Sequence, residues 1–550
     1  MLPHSYRALV ERSASRFGQA LAIEDGEHRL TFAELHAAAE NACAACLACG
    51  IERGDRVAIW APNLLRWVVA ALGASFAGAV LVPINTRFKG KEARFILEKT
   101  RARLLFTVDQ FLGTDYVGLV EREGGPRTPD RPLPGLPHLE RVILLSGQRE
   151  NALSWEDFTA LAAHVAKPAV RERADGIAGE DVSDILFTSG TTGQPKGVMT
   201  THAQNIRAFS SWSEVVGLRA GDRYLIVNPF FHAFGYKAGW LACLLSGATI
   251  LPHAVFDVPA VLERIARDRV TVLPGPPTLY QSLLAHPDRP RYDISGLRLA
   301  VTGAATIPVE LVRSMKEELG FDTVITGYGL TEACGIATMC RFDDDLETIA
   351  STSGRAIPDV LVKTVTGDGR DTPPGEPGEV LISGYNVMLG YFEEPERTRE
   401  TLTDGGWLQT GDIGVLDERG YLRITDRKKD LIIVGGFNCY PAEVERLMLQ
   451  HRNVVQVAVI GVPDPRLGEV GLAFVVPHPS AFPKRDAFNE PEAAAEFVAE
   501  LSAWCREHMA NYKVPRRIEL VSELPLNASG KVTKDVLRER AHAFQSIWNA

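Results

Sequence analysis

Residues 188–197 have the composition of a phosphate-binding loop. They read Thr-Ser-Gly-Thr-Thr-Gly-Gln-Pro-Lys-Gly and follow the apolar string Asp-Ile-Leu-Phe. Glycines allow successive backbone N–H groups to turn toward one anion, hydroxyls add donors, and Lys196 adds a positive charge. The Gly-x4-Gly-Lys spacing of nucleoside triphosphatase P-loops is absent, so this is a phosphate loop of another kind. The residues predicted to bind phosphate are Thr188, Ser189, Gly190, Thr191, Thr192, Gly193 and Lys196.

Two further motifs follow apolar strings that favour strands. Tyr-Gly-Leu-Thr331-Glu332, which begins at Tyr328, comes after Thr-Val-Ile-Thr. Its carboxylate is the kind of ligand that a hard cation bound to phosphates prefers. Gly303, Ala304 and Ala305 form a weaker signal, because small residues after a strand are common. Taken alone, the Tyr328 motif could equally be a turn with a helix cap.

Other candidate groups have less specific surroundings. Asp412 ends the string Trp-Leu-Gln-Thr-Gly-Asp, and its carboxylate is suited to accept hydrogen bonds from a diol. Arg427 begins the basic string Arg-Lys-Lys. Lys531 lies near the C-terminus, where a lysine is usually solvated. His232 follows two phenylalanines, an environment typical of a packed core histidine.

Together and in this order, the motifs resemble those of the adenylate-forming superfamily. That superfamily includes acyl-CoA synthetases, coumarate–CoA ligases, luciferases and nonribosomal peptide adenylation domains. The resemblance covers nearly the whole chain. It implies an enzyme that joins a carboxylic acid to ATP as an acyl-adenylate, releases pyrophosphate, and then transfers the acyl group to coenzyme A with release of AMP. ATP, Mg²⁺ and coenzyme A are therefore the implied cofactors and co-substrates.

The resemblance also implies a role for each residue at a matching position. Tyr328 would stack on adenine beside Gly303, Ala304 and Ala305, and Asp412 with Arg427 would hold the ribose. Thr331 would bind a phosphate oxygen, and Glu332 would be the metal ligand. Lys531 would contact the substrate carboxylate and the α-phosphate, where a positioned cation stabilises developing charge. His232 would orient the carboxylate and would not act as an acid or base.

The implied fold is α/β, with a large N-terminal domain of mixed βαβ sheets and a small, mobile α+β lid. Because a lysine on the lid cannot serve both half-reactions in one position, the resemblance implies rotation about a hinge at Lys429. Gly435 and Gly436 would then face the pantetheine arm, since glycines let a thin chain pass close to the backbone. The predicted domains are residues 1–428, with a β-rich subdomain over about 354–428, and residues 429–550.

The strings between the motifs fit this architecture. Apolar runs alternate with helical stretches, as in βαβ units with largely parallel sheets; the runs are RVAIWAP, AVLVPI, RLLFTV, RVILLS, YLIVNPF, TVLPG, RLAVTG and TVITGYG. Residues 67–84 predict a buried helix that enters a strand, not a membrane span. Residues 121–137, rich in Gly, Pro and charge, predict a surface loop.

Composition and cysteine spacing narrow the classes of partner. The 550 residues carry a formal net charge of -10, so the chain lacks the excess of basic residues that is typical of a nucleic-acid binder. No secretion or peroxisomal signal is found. Cys43, Cys46 and Cys49 have the spacing of part of an iron–sulfur motif, but the next cysteine is Cys243, so buried helix residues are preferred. A cytoplasmic enzyme with small-molecule partners, no nucleic acid and no membrane span is predicted, and a homodimer stays open.

Longer strings predict the acid. NPFFHAFGYKAG and LAVTGAATIP resemble CoA ligases of bacterial steroid breakdown, which act on the bicyclic indanedione propanoate left after the A and B rings are removed. A fatty-acid or aryl-acid ligase is the alternative, and a silent ATP-binding regulatory protein is the alternative of another class. The predicted acyl pocket involves residues 231–237, 274–280 and 326–329. Lys237, a cation in this pocket, is interpreted either as reaching a polar group, such as a substrate ketone, or as extending to solvent.

Overall fold

An eight-stranded sheet forms the centre of the large N-terminal part of this computed structural model. The described residues are 2–122, 133, 135–188, 195–303, 307–427, 430–434, 437–478, 481–482, 491–526 and 532–548. The inner strands are buried on both faces, as is typical of parallel strands covered by helices. In spatial order the strands are β20 (Gly390–Tyr391), β11 (Lys196–Thr201), β10 (Val182–Thr188), β4 (Val80–Pro83), β3 (Arg56–Trp60), β5 (Leu104–Val108), β8 (Arg141–Ser146) and β9 (Leu153–Ser154).

A second sheet consists of two four-stranded ladders joined at one residue. Val272 bridges Tyr224 in one ladder to Leu299 in the other. The run TVLPG contributes only this bridge and no full strand, because its proline has no N–H to donate to a ladder. The ladders are β12 (Arg223–Ile226), β13 (Thr249–Pro252), β1 (Leu21–Asp25) and β2 (His28–Thr31), and β14 (Leu299–Gly303), β15 (Thr323–Tyr328), β16 (Thr338–Met339) and β17 (Arg355–Ala356).

The segment predicted to be β-rich forms a four-stranded antiparallel sheet, and the C-terminal part forms a separate five-stranded sheet with its own hydrophobic core. This agrees with the predicted α/β fold of a large and a small domain. The predicted boundary between residues 428 and 429 lies outside the described residues and stays a prediction. The strands are β18 (Val360–Val365), β19 (Pro377–Gly384), β21 (Leu408–Leu416) and β22 (Leu422–Arg427), then β23 (Ile432–Val434), β24 (Phe437–Cys439), β25 (Val454–Asp464), β26 (Gly468–Pro477) and β27 (Arg517–Leu520).

Helices cover the sheets. The run at residues 67–84 forms a buried helix followed by β4, as predicted. Among the described residues, no helix is both long and apolar enough to cross a membrane. The helices are α1 (Tyr6–Phe17), α2 (Phe32–Ala48), α3 (Leu65–Phe76), α4 (Gly90–Thr100), α5 (Tyr116–Arg122), α6 (Trp155–Ala160), α7 (Lys167–Asp175), α8 (His202–Val216), α9 (Ala233–Gly235), α10 (Ala242–Ser246), α11 (Val258–Arg267), α12 (Pro277–Ala285), α13 (Val309–Glu317), α14 (Leu346–Ser351), α15 (Pro395–Thr401), α16 (Pro441–Met448), α17 (Pro491–His508) and α18 (Lys534–Trp548).

Cys43, Cys46 and Cys49 lie on or at the end of α2 and are buried thiols, as the alanine-rich string predicts. The predicted surface loop at residues 121–137 begins at the end of α5, and most of it lies outside the described residues. A two-stranded hairpin precedes α5, with β6 (Gln110–Phe111) and β7 (Thr114–Asp115).

Candidate active site

The predicted phosphate loop connects two strands that pair with each other. β10 and β11 pair antiparallel, and Thr188 at the end of β10 lies opposite Lys196 at the start of β11. This pairing fixes where the loop leaves and re-enters the sheet. Residues 189–194, with the predicted ligands Ser189, Gly190, Thr191, Thr192 and Gly193, lie outside the described residues.

Tyr391 brings the phosphate hairpin and the predicted metal ligand together. Its hydroxyl donates a hydrogen bond to Glu332 Oε1 at 2.9 Å. Lys196 Nζ lies 4.9 Å from the centre of the Tyr391 ring, within cation–π range. Burial, and then the negative charge of Glu332, raise the pKa of Tyr391. The phenol therefore stays protonated at neutral pH and keeps donating to the carboxylate.

The sequence interpretation did not identify Tyr391. The only signal in the chain is an aromatic residue after Gly390, and the same pattern occurs six residues earlier at Gly384 and Tyr385. Residues of the same short segment fix it in place: Met388 N donates to Glu332 O at 2.9 Å, and Phe392 N donates to Gly197 O at 2.7 Å. The segment thus bonds to both motifs at once.

Thr331 and Glu332 lie in a single 3₁₀ turn that ends β15. The turn closes through bonds from Ala333 N and Gly335 N to Leu330 O, both 2.9 Å. A Cβ on Gly329 would lie 2.3 Å from the Gly335 carbonyl oxygen, so only glycine fits there. Gly303 has a similar constraint, because its Cβ would lie 2.6 Å from Gly327 O on the neighbouring strand. Ala304 and Ala305 lie outside the described residues.

Tyr328 and Asp412 are hydrogen-bonded to each other. The Tyr328 hydroxyl donates to Asp412 Oδ2 at 2.5 Å, and Asp412 is buried on β21. The predicted adenine and ribose residues are therefore adjacent, although they are 84 positions apart in the chain. On β22, Arg427 is the backbone partner of Asp412; its side chain is not described.

Residues 228–235, here called the acyl loop, are fixed by two buried asparagines. Asn63 Nδ2 donates to the carbonyls of Ile226 and Asn228, and Asn63 Oδ1 accepts from Phe230 N at 2.7 Å. Asn228 Nδ2 donates to Pro274 O at 3.0 Å, which joins the acyl loop to the first residue of the segment 274–280 that is predicted to line the acyl pocket. A small cavity beside this loop is lined by Asn63, Thr86, Pro229, Phe231 and Ala254 among others.

His232 caps the short helix α9. Its Nδ1 accepts a hydrogen bond from Phe234 N at 3.2 Å. An accepting Nδ1 carries no proton, so in the neutral imidazole the proton is on Nε2. Backbone capping of this kind orients a ring, which is consistent with the orienting role expected from the sequence.

Lys237 reaches polar groups, but they belong to the protein, and the interpretation that it extends to solvent is wrong. The side chain is completely buried, so it does not extend to solvent. Its ammonium lies 3.1 Å from Asp184 Oδ1 and donates to Thr200 Oγ1 at 2.9 Å, so its polar partners are protein groups and not a substrate ketone. A buried cation requires such pairing. The sequence could not indicate this partner, because Asp184 lies 53 positions earlier, on a strand.

The predicted lid residues Lys531, Lys429, Gly435 and Gly436 lie outside the described residues. The strands β22, β23 and β24, which flank Lys429, Gly435 and Gly436, are described. Among the described residues, no group of three or more His, Cys, Asp or Glu side chains could hold a metal ion by itself.

Comparison with known proteins agrees with this geometry. Residues 10–392 match the family model described as AMP-binding enzyme, and residues 443–531 match the AMP-binding enzyme C-terminal domain. Two relatives, the 3-[(3aS,4S,7aS)-7a-methyl-1,5-dioxo-octahydro-1H-inden-4-yl]propanoyl:CoA ligases of Rhodococcus jostii and Mycobacterium tuberculosis, are similar to this chain over nearly the full length. The first is 48% identical over 98% of this chain and 99% of its own. The second is 48% identical over 97% of this chain and 98% of its own.

Solved structures show the same fold. An anthranilate CoA ligase in complex with anthranoyl-AMP superposes with a TM-score of 0.84 at 28% identity, covering 99% of both chains. The Mycobacterium tuberculosis fatty acyl CoA synthetase superposes with a TM-score of 0.74 at 29% identity, covering 98% of this chain and 99% of that chain.

Proposed function

Since this chain belongs to the AMP-binding enzyme family and is an acyl-CoA ligase that uses ATP and coenzyme A, we propose that its acid is the bicyclic 7a-methyl-1,5-dioxo-octahydroindenyl propanoate. The observation that carries this proposal is that both relatives with 48% identity over nearly the whole chain are ligases for that acyl group. A silent ATP-binding protein is excluded by the family match and by the ligase activity of the relatives. The acid is the product expected of steroid ring degradation, as the sequence strings predict.

In the first half-reaction, a carboxylate oxygen of the acid attacks the α-phosphorus of ATP, and pyrophosphate leaves. A carboxylate is already a nucleophile at neutral pH, so no general base is needed. We assign triphosphate binding to the hairpin turn at residues 189–194, with Thr188, Lys196 and Thr331 beside it. Lys531 would supply the cation that stabilises the transferred negative charge. His232 would orient the acid carboxylate.

Glu332 fits a Mg²⁺ ion that is also bound by the triphosphate. The carboxylate is a hard oxygen donor, which Mg²⁺ prefers, and protein Mg²⁺ sites often use one or two carboxylates and complete their ligands with phosphates and water. Tyr391 holds one carboxylate oxygen through its hydrogen bond. When bound, Mg²⁺ would neutralise phosphate charge in the displacement.

Adenine and ribose binding are assigned to Gly303, Ala304, Ala305, Tyr328, Asp412 and Arg427. The hydrogen bond between Tyr328 and Asp412 supports this assignment, because it holds an aromatic ring and a ribose-binding carboxylate in one place. In the second half-reaction the thiolate of coenzyme A attacks the acyl carbon, and AMP leaves. We propose that the small domain rotates at Lys429 for this step, so that Gly435 and Gly436 face the pantetheine arm.

The substrate proposal is tested by a ligation assay with ATP, Mg²⁺ and coenzyme A. The panel holds the bicyclic propanoate, octanoate, palmitate, coumarate and benzoate, and mass spectrometry identifies each acyl-CoA. A kcat/KM for the bicyclic acid at least about 100-fold above the others supports the proposal, because such a ratio requires about 2.7 kcal/mol of selective transition-state binding. A preference for a fatty or aryl acid would overturn the substrate and leave the ligase assignment intact.

We also propose a cytoplasmic location. The oligomeric state, monomer or homodimer, is a separate question that the mass in solution answers. All eight cysteines are buried free thiols, which suits a reducing compartment. Fractionation of the producing cells tests the location, and recovery of the enzyme with periplasmic or extracellular proteins would contradict it. Light scattering of the purified chain measures its mass directly.

A further inference from the structure

The hairpin that carries the phosphate loop is held at its base by a buried ammonium group. Asp184 on β10 is the register partner of Thr200 on β11. Lys237 Nζ contacts both, at 3.1 Å from Asp184 Oδ1 and 2.9 Å from Thr200 Oγ1. One side chain thus bonds the two strands whose turn is the phosphate loop. Asp184 lies four residues before Thr188 on β10, which is a distance of roughly 13 Å at about 3.3 Å per residue along a strand.

Lys237 belongs to the element that directly follows the acyl loop. It lies in a π-helical turn, Tyr236–Leu241, which begins where α9 ends. Such turns are often found at functional sites. The preceding residue contacts the same carboxylate, since Tyr236 donates to Asp184 Oδ2 at 3.4 Å. Two successive residues after the acyl loop are therefore tied to β10.

The same region packs against the turn that carries Glu332. A Cβ on Gly335 would lie 2.9 Å from Ala233 Cβ in the acyl loop. Burial raises the pKa of Cys334 to about 12, and the positive charge of Lys237 acts on this thiol in the opposite direction. Lys237 is thus within electrostatic reach of the Glu332 turn, the phosphate hairpin and the acyl loop.

The Asp184–Lys237 pair is a buried ion pair, a kind of interaction that is weak evidence for a role in stability. Both side chains are fully buried, and Asp184 also accepts hydrogen bonds from Ser183 and Asn205 at 2.8 and 2.7 Å. Buried ion pairs are often no better for stability than apolar residues of the same volume, because both charges lose their hydration. A buried network in which each charged group has several partners can, however, fix one geometry, and Asp184 and Lys237 are both paired in this way.

We propose that Lys237 and Asp184 are positioning residues that set the distance between the acyl loop and the phosphate hairpin, and so align the acid carboxylate with the α-phosphate of ATP. The inference rests on the proposed phosphate and acyl sites. It predicts that neutralising the pair slows the adenylation step while the protein stays folded. Substrate affinity should change little, because neither side chain reaches the surface of the site.

The test compares the neutral pair Lys237→Met/Asp184→Asn with the wild-type enzyme in each half-reaction. Pyrophosphate exchange measures adenylation, and transfer from chemically prepared acyl-adenylate to coenzyme A measures the second step. We expect kcat for exchange to fall about 30-fold, with KM for ATP and for the acid within about threefold, as for an interaction that acts in the transition state. Transfer from the acyl-adenylate should stay within about threefold.

The matched control is Arg298→Met/Asp222→Asn, which neutralises another largely buried ion pair in the same domain. These residues precede β14 and β12, so they lie at the opposite ends of strands from the site. The control should keep the wild-type rates. Unchanged exchange in the Lys237/Asp184 variant would overturn the proposal. A lower melting temperature together with the same fold decrease in both half-reactions would also overturn it, because that result indicates a general loss of structure.

A second variant covers the case in which the neutral pair does not fold. Thr200→Val removes the hydroxyl that accepts from Lys237 and donates to Asp184 Oδ1, both at 2.9 Å, and it keeps the ion pair. It should lower exchange about tenfold or more, because both lost hydrogen bonds involve a charged group. Wild-type exchange in this variant would overturn the proposal. Each assay uses whichever acid the wild-type enzyme activates best, so failure of the bicyclic substrate would not be mistaken for failure of the positioning role.

Discussion

At the scale of single residues, the site is organised around the Glu332 carboxylate. Tyr391 donates to one of its oxygens, and Lys196 lies over the Tyr391 ring. A hydrogen bond to a charged group is stronger than one between neutral groups, and it also fixes the direction of the acceptor. The hydrogen bond from Tyr391 can therefore hold Glu332 in one orientation, as its proposed role as a metal ligand requires.

Replacing Glu332 by glutamine should reduce pyrophosphate exchange about 100-fold, because removing one aligned electrostatic contact from a transition state costs about 2.7 kcal/mol. The concentration of Mg²⁺ needed for half-maximal exchange should also rise. Titration of exchange with Mg²⁺ measures both effects. Glu310→Gln, on an exposed side chain of α13, serves as the control. An unchanged Mg²⁺ dependence in Glu332→Gln would remove Glu332 as the metal ligand.

Replacing Tyr391 by phenylalanine should lower exchange about tenfold, since one hydrogen bond to a charged group contributes about 1.5 kcal/mol. The ring stays, so its contact with Lys196 is preserved. Tyr385→Phe is the matched control, because Tyr385 also follows a glycine but bonds Ser211, not a site carboxylate. The steady-state rate of pyrophosphate exchange is measured for both variants. Equal rates for Tyr391→Phe and Tyr385→Phe would show that the hydroxyl of Tyr391 does not act through Glu332.

At the scale of elements, strand ends and tight turns determine where the functional groups lie. β10 and β11 fix the two ends of the phosphate loop, and β15 ends in the turn that carries Thr331 and Glu332. The close approach of Gly329 to the Gly335 carbonyl leaves that turn no room for a side chain.

Gly329→Ala should therefore destabilise the turn, because the new methyl would lie 2.3 Å from a backbone oxygen. Overpacking of this kind costs about 1–3 kcal/mol. We expect both the thermal midpoint and the exchange rate to decrease. Gly367→Ala is the control, since open space surrounds Gly367. If Gly329→Ala kept the wild-type thermal midpoint and exchange rate, the prediction would be wrong and the turn would accommodate a methyl group.

At the scale of the whole molecule, burial of two histidines makes stability depend on pH. Burial lowers the pKa of His202 to about 4, and burial followed by the charge of Arg264 lowers that of His253 to about 4. The ordinary pKa of histidine is about 6.5, so between that pH and pH 4 these side chains bind protons in the unfolded chain but not in the folded chain. The stability they contribute is complete above that pH and is lost as the pH falls toward 4.

Between pH 7 and pH 5, each buried histidine should thus reduce the free energy of unfolding by about 2 kcal/mol. Urea unfolding at the two pH values measures the difference. The variant His202→Gln/His253→Gln should show a smaller pH dependence, and the exposed His138→Gln should match the wild type. An unchanged pH dependence in the double variant would mean that other groups cause the loss.

The sequence alone identified the family-level chemistry, because phosphate loops and strand-end motifs are short strings whose residue types act locally. Residues 188–197, Glu332 and Asp412 could be named in this way, and the α/β architecture followed from alternating apolar and helical runs. The 18-position run that ends at Ile84 is a further case, since its length and glycines already indicated a helix and a strand.

Only the tertiary structure decided which distant residues meet. Tyr391 bonds Glu332 across 59 positions, and Asn63 bonds the acyl loop across 167. Lys237 finds its charge partner on β10, whereas its own neighbours in sequence are aromatic or small. The physical reason is that a buried polar group must be satisfied by whatever the packed strands bring near it, and strand order is a property of the whole fold, not of any local string.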